Sequence, residues 1–198
     1  MSASTILRPS ASKSTAKSTS SSSKSTSRTR PYYFWRPNSP GGFLSQWYDS
    51  PFTDASGSVY ATAEMYMMVR KARLFNDEGT AQKMLKTTNP KTHRALGRTV
   101  ENFDEKQWDE NKLQIVTEGS YLKFTTGDLA EVLRRELMET GERELVEASP
   151  YDRIWGIGFT EGEAEKNRQW WGENLLGKAL VAVRERLRAE EKEEGGKK

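Results

Sequence analysis

Glu64, Met68 and Lys71 are separated by four and three residues. On a helix that spacing places all three on one face. The face can present a carboxylate and an ammonium, two turns apart, to one ligand. A second reading of Glu64 is that it favours the positive end of a helix that starts just before it. Lys71 can meet a phosphate as a point charge, or add to a carbonyl as an amine; its plainer reading is a solvated surface charge. The other acid of interest is Asp152, which follows Ser149-Pro150 and precedes Trp155-Gly156-Ile157-Gly158. A loop with a carboxylate, an aromatic ring and glycines suits close approach to a ligand, Gly156 included. An Asx-type turn that only shapes the loop is the alternative.

Several chemistries are excluded by what is missing. There is no cysteine, so disulfides, thiolate nucleophiles and cysteine-held metals are out. The single histidine, His93, rules out a histidine-rich metal cluster. Between Lys91 and Arg94 it reads as an exposed helical residue. Gly156-Ile157-Gly158 lacks a third glycine at dinucleotide-binding spacing, and no Walker loop occurs.

These candidates need elements to hold them. Thr62 can cap a helix over 63–75 with Glu64 in its first turn. A second helix follows Asp77 and ends before Asn89-Pro90, and a short one covers 91–98. Asp104 can start a long helical stretch through Phe124, with a break near Gly119. Leu129, Val132, Leu133 and Leu137 mark a further amphipathic helix ended by Gly141. Leu176, Leu180, Val183 and Leu187 mark the last. Tyr32–Trp35 and Leu145–Ala148 read as short strands, and Glu147 in the second can pair with an arginine. The fold class is α+β, predominantly helical, with one compact domain and a small β component.

The termini differ from this domain. Residues 1–30 carry Arg8, Lys13, Lys17, Lys24, Arg28 and Arg30 and no acid, amid serine and threonine. They have too few large apolar groups to offset the entropy of ordering, and read as a disordered tail. A targeting segment is the lesser alternative. Without them the formal net charge of +3 becomes −3 for residues 31–198. The basic character therefore belongs to the tail, which offers non-specific nucleic-acid contact, and the domain carries no sign of a nucleic-acid interface. Residues 189–198 read as a charged, fraying C-terminal tail. No apolar run can span a membrane and no secretory segment is visible, so the expected location is cytoplasmic, with nucleus and mitochondrion left open.

An ordered series of segments then carries a resemblance. It runs through Gly42-Phe43-Leu44-Ser45-Gln46-Trp47, Ser50-Pro51-Phe52, Tyr60-Ala61-Thr62-Ala63-Glu64-Met65-Tyr66-Met67-Met68, Lys71-Ala72-Arg73-Leu74-Phe75 and Leu96-Gly97-Arg98. It continues through Trp108, Lys123-Phe124, Leu145-Val146-Glu147-Ala148-Ser149-Pro150, Asp152-Arg153-Ile154-Trp155-Gly156-Ile157-Gly158 and Trp171-Gly172-Glu173-Asn174-Leu175-Leu176-Gly177. From 32 to 188 the chain resembles the NADAR, or YbiA-like, family. The resemblance implies a mainly α domain that cleaves ribosyl C–N bonds. The implied substrates are phosphoribosylamino-pyrimidine intermediates of riboflavin synthesis, or ADP-ribose on a guanine base.

Such cleavage builds positive charge on the sugar, so carboxylates belong beside the anomeric carbon, and the base must leave with a proton or hydrogen bonds. Glu64, Asp152 and Lys71 are the catalytic candidates. Trp155 can stack on the base or pack in the core. Arg98 can grip a phosphate or form a structural salt bridge. Ser45 and Trp47 can help close the ribose or base pocket. Asn174 can support the Asp152 loop or cap the last helix, with capping favoured by its position. Neither a metal nor another cofactor is called for. The rival reading is a non-catalytic module that binds ADP-ribose or NAD.

Overall fold

A computed structural model describes residues 30–196. The basic tail expected over residues 1–30 lies outside the described residues, except for Arg30, which pairs with Glu161 at 3.0 Å.

The first helix, α1 (Ala63–Leu74), starts where Thr62 Oγ1 accepts the Met65 N–H at 3.2 Å. It buries most of its circumference, so it is the central element. α2 (Glu78–Leu85) is capped by Asp77, which accepts from Thr80 N at 2.9 Å. With Lys86 as the C-cap of α2, Asn89 takes a separate part. It caps α3 (Pro90–Gly97), with proline at the first helical position, where a missing N–H costs nothing. α4 (Glu105–Lys123) begins at Asp104 and runs unbroken through Gly119. The expected break is absent because Gly119 serves packing. A Cβ there would stand 2.5 Å from the Tyr66 ring, so the bare backbone lets α1 and α4 touch.

α5 (Ala130–Glu139) buries Ala130, Leu133 and Leu137, while Leu129 and Val132 face solvent. The connection after residue 150 holds a short helix, α6 (Glu161–Ala164), and a 3-10 segment (Glu165–Trp170) that periodicity did not indicate. α7 (Leu175–Gly195) extends well into the stretch expected to fray. Arg186–Glu190 at 2.9 Å and Arg134–Glu191 at 3.2 Å join that charged end to itself and to α5.

The β component is two separate two-stranded sheets. β1 (Tyr32–Phe34) pairs in parallel with β4 (Leu145–Glu147), placing Phe34 opposite Glu147. β2 (Phe52–Thr53) and β3 (Val59–Tyr60) form a short antiparallel hairpin. α1 packs against α2, α3 and α4, and α7 packs against α4 and β4. The main core gathers Tyr60, Tyr66, Phe124, Leu176 and Leu180. Each fully buried leucine there contributes roughly 2 kcal/mol. A second small core, with Tyr33, Val146, Ala148, Ile157 and Ala164, anchors the 150–174 connection to the β1–β4 ladder. Trp171 packs on it and donates its indole N–H to Ala164 O at 2.8 Å, whereas Trp170 is exposed. No helix among the described residues is long and apolar enough to cross a membrane.

Candidate active site

Glu64 lies in the first turn of α1, yet only 6% of the residue is exposed. A carboxylate placed only to complement the helix end would sit in water. Its backbone N–H donates to Gln46 O at 2.9 Å, which fixes the 45–47 segment across the start of α1. Burial pushes the Glu64 carboxyl up to about 7, against the lowering effects of Arg94 and of a hydrogen bond from the Trp47 side chain, while Asp152 adds to the rise. The fold thus brings Glu64, Trp47 and Asp152 together from three separate segments.

Ser45 is buried, and its Oγ accepts the Trp47 backbone N–H at 3.2 Å. Ser45 therefore shapes the turn that aims Trp47. Beneath that turn lies Lys123, the last residue of α4, whose Nζ donates to Phe43 O at 2.6 Å and Ser45 O at 3.0 Å. Burial lowers its ammonium to about 7. Lys123 stood in the sequence only within the segment Lys123-Phe124 of the family resemblance; nothing about its spacing announced a buried amine.

On the opposite side, Asp152 Oδ1 accepts from Ile154 N at 2.9 Å and Trp155 N at 2.8 Å. The Asx-type turn is present, and it occupies only one carboxylate oxygen. Gly156 closes against β4: a Cβ there would stand 2.7 Å from Glu147 O and 3.2 Å from Asp152 O. Trp155 is half-buried and packs against the main core. Asn174 holds the left-handed conformation at the start of α7, but its side chain caps nothing. It accepts from Glu147 N at 3.0 Å and donates to Leu145 O at 2.9 Å, so one amide group occupies the free edge of β4. The capping role expected for it is replaced by support of the strand, because that edge has no partner strand to satisfy its backbone.

Glu147 itself forms no ion pair among the described residues, contrary to the expected arginine partner. Its Oε2 is buried without any hydrogen bond. Burial raises its carboxyl to about 8, with further rises from Asp152 and Glu64. Three acids on α1, β4 and the following loop therefore feel one another's charge. They do not converge on one point as metal ligands do, and no group of three or more acids, histidines or cysteines suited to a metal occurs among the described residues.

Lys71 lies two turns along α1 from Glu64, about 10 Å along the axis. Its Nζ donates to Gly97 O at 2.8 Å and sits 4.2 Å from the Phe103 ring centre, and burial lowers its pKa. Arg98, the C-cap residue of α3, is exposed and makes no ion pair among the described residues. Arg94, one turn earlier, is the arginine that acts on Glu64. Sequence reading missed it, although the four-residue spacing of Arg94 and Arg98 puts both on one helix face. His93 is fully buried, not exposed. Its Nε2 lies 2.8 Å from Thr87 O and 3.2 Å from Met84 O, tying α3 to the end of α2.

The NADAR domain family matches residues 33–188. The chain belongs to the NADAR family. Relatives place it further within that family. It is 42% identical over 148 residues to the N-glycosidase R617 of Acanthamoeba polyphaga mimivirus, covering 72% of this chain and 85% of that protein. It is 28% identical over 161 residues to the riboflavin biosynthesis protein VVA0006 of Vibrio vulnificus, covering 80% of this chain but 39% of that protein. The NMR structure of Escherichia coli YbiA superposes with a TM-score of 0.67 at 25% identity, covering 82% of this chain and 87% of YbiA. The mostly helical NADAR domain with small sheets is thus shared.

Proposed function

We propose that this NADAR domain is an N-glycosidase that hydrolyses a ribosyl C–N bond, with Glu64 and Asp152 flanking the anomeric carbon. The observation that carries the reading is Glu64: a nearly buried carboxylate, poised near neutral pH, facing Trp47, Arg94 and Asp152. Burial of an acid at a helix start has no stabilising purpose and is expected where charge develops in a reaction. Asp152, anchored through one oxygen, stabilises the oxocarbenium-like sugar with the other. Glu64 in its ionised form takes a proton from the attacking water. Trp47 and Trp155 hold the sugar and base, and Gly156 lets the Asp152 loop press against β4. Arg94 and Arg98 offer cations for a phosphate. Lys71 supplies an amine on the Glu64 face. Ser45 and Asn174 act by positioning Trp47 and β4.

The first substrate class is a phosphoribosylamino-pyrimidine of the riboflavin pathway. The net charge of −3 outside the basic tail suits a small ligand better than a nucleic acid, and a riboflavin biosynthesis relative points the same way. ADP-ribose on guanine is the competing substrate. The decisive assay offers both to wild type and to Glu64→Gln and follows release of ribose 5-phosphate or ADP-ribose. Glu64-dependent release from one substrate establishes the activity and its class. Tight ADP-ribose binding without release from either converts the reading to a binding module.

A further inference from the structure

We propose that Glu147 is a third catalytic carboxyl, the proton donor to the departing nitrogen, held for that purpose at the end of β4 beside Glu64 and Asp152. The proposal rests on the N-glycosidase reading and deepens it by assigning the acid that reading leaves open.

Nothing structural accounts for a glutamate here. Its strand neighbours Leu145 and Val146 are wholly buried apolar residues. Its Oε2 has no hydrogen-bond partner, which costs about 1–3 kcal/mol relative to a satisfied group. No cation pairs with it among the described residues, and the charged groups that act on it are both acids, Glu64 from α1 and Asp152 from the loop. A methionine of similar length would serve packing better. The main chain around it is nevertheless held on every side. Its N–H donates to Asn174 Oδ1 at 3.0 Å, its carbonyl accepts from Ile157 N at 3.0 Å, and Ala148 N donates to Phe34 O at 2.8 Å. A Cβ on Gly156 would come within 3.4 Å of Glu147 Cγ, so the bare glycine keeps the loop pressed against this side chain. Yet the residue as a whole retains some solvent contact, so a proton has a way in and out.

The environments sort the three acids into roles. Arg94 and Trp47 stabilise the Glu64 anion, and Asp152 is anchored through Oδ1 by two backbone N–H groups. Glu147, with its Oε2 unpartnered, has no such help and keeps its proton longer than Glu64. In the reaction the C1–N bond breaks and its electron pair passes to nitrogen. The carboxyl hydrogen of Glu147 goes to that nitrogen. Water forms the new C1–O bond and gives its proton to ionised Glu64. One proton returned from Glu64 to Glu147, directly or through solvent, resets the site.

The test compares pH profiles of base release for wild type, Glu147→Gln and Glu147→Asp. Glu147→Gln is expected to lower kcat about 100-fold, leave KM within about threefold, and remove the alkaline limb of the wild-type profile. Glu147→Asp keeps a limb and part of the rate. Infrared spectra of resting Glu64→Gln at pH 7 should show a protonated-carboxyl carbonyl band that the double variant with Glu147→Gln lacks. A rate for Glu147→Gln within about threefold of wild type with its alkaline limb intact overturns the proposal. So does an unchanged infrared band. If wild type releases no base from either substrate, the N-glycosidase reading fails, and the infrared band still decides whether Glu147 holds a proton.

Discussion

The Lys123 ammonium nitrogen lies 3.0 Å from the Ser45 carbonyl oxygen, inside the protein and directly under the turn that aims Trp47 at Glu64. Burial brings its pKa to about 7, well below the unfolded value of roughly 10.4. Between those values the unfolded chain binds more protons, so this lysine makes the protein more stable as pH rises through that window. Lys123→Met is therefore expected to compare more favourably with wild type at pH 6 than at pH 9.5, by about 3 kcal/mol. Urea denaturation at the two pH values measures it. A difference that does not change with pH means the amine is neutral or solvated throughout.

Glu64 has the opposite linkage. Its carboxyl, raised to about 7 by burial, contributes stability that is full below the unfolded value near 4.5 and is lost as pH rises through 7. Glu64→Gln should thus be more stable than wild type at pH 8, by on the order of 2 kcal/mol, while losing about 100-fold or more in kcat. The wild-type rate should climb from pH 6 through 7 as the base ionises, before the alkaline limb of Glu147 sets in. A variant that loses both stability and rate points to a packing role for Glu64.

Lys71 is held by the Gly97 carbonyl and set against Phe103 and Trp108, and burial lowers its basicity. With water as the nucleophile at C1, the part left to Lys71 is that of a point charge for a ligand phosphate. Lys71→Arg keeps the charge and is expected to hold the rate within about threefold of wild type, while Lys71→Met is expected to raise KM about tenfold. Borohydride added during turnover should fix no sugar to wild type. A trapped adduct on wild type that Lys71→Arg lacks would identify the amine as the nucleophile instead.

His93 joins α2 to α3 and so positions the helix that carries Arg94. His93→Ala leaves a cavity and two carbonyls without their donor, and should cost about 2–3 kcal/mol. Thermal denaturation reads this directly. A change under about 0.5 kcal/mol would place the side chain at a surface.

How much of this was legible in the chain can be followed residue by residue. Thr62, Asp77 and Asp104 begin the helices expected of them, since capping is a local bond between a side chain and a backbone N–H two or three residues on. Glu64 and Asp152 stood out by type and neighbours. Arg94 and Glu147 did not, because their importance comes from segments far away in sequence. His93 was misjudged for the same reason: its charged neighbours in sequence face solvent, while its own ring turns inward between two carbonyls.

The sequence by itself determined the starts of α1, α2 and α4, the change of composition at the basic tail, the absence of thiol chemistry and the NADAR family. All of these depend on residue identity and short-range order. The tertiary structure decided which acids meet, which amines are dehydrated and which asparagine becomes a substitute strand edge. A parallel pairing of Phe34 with Glu147 joins residues more than a hundred positions apart. Charge coupling and desolvation depend on such distances in space, and no pattern of spacing along the chain encodes them.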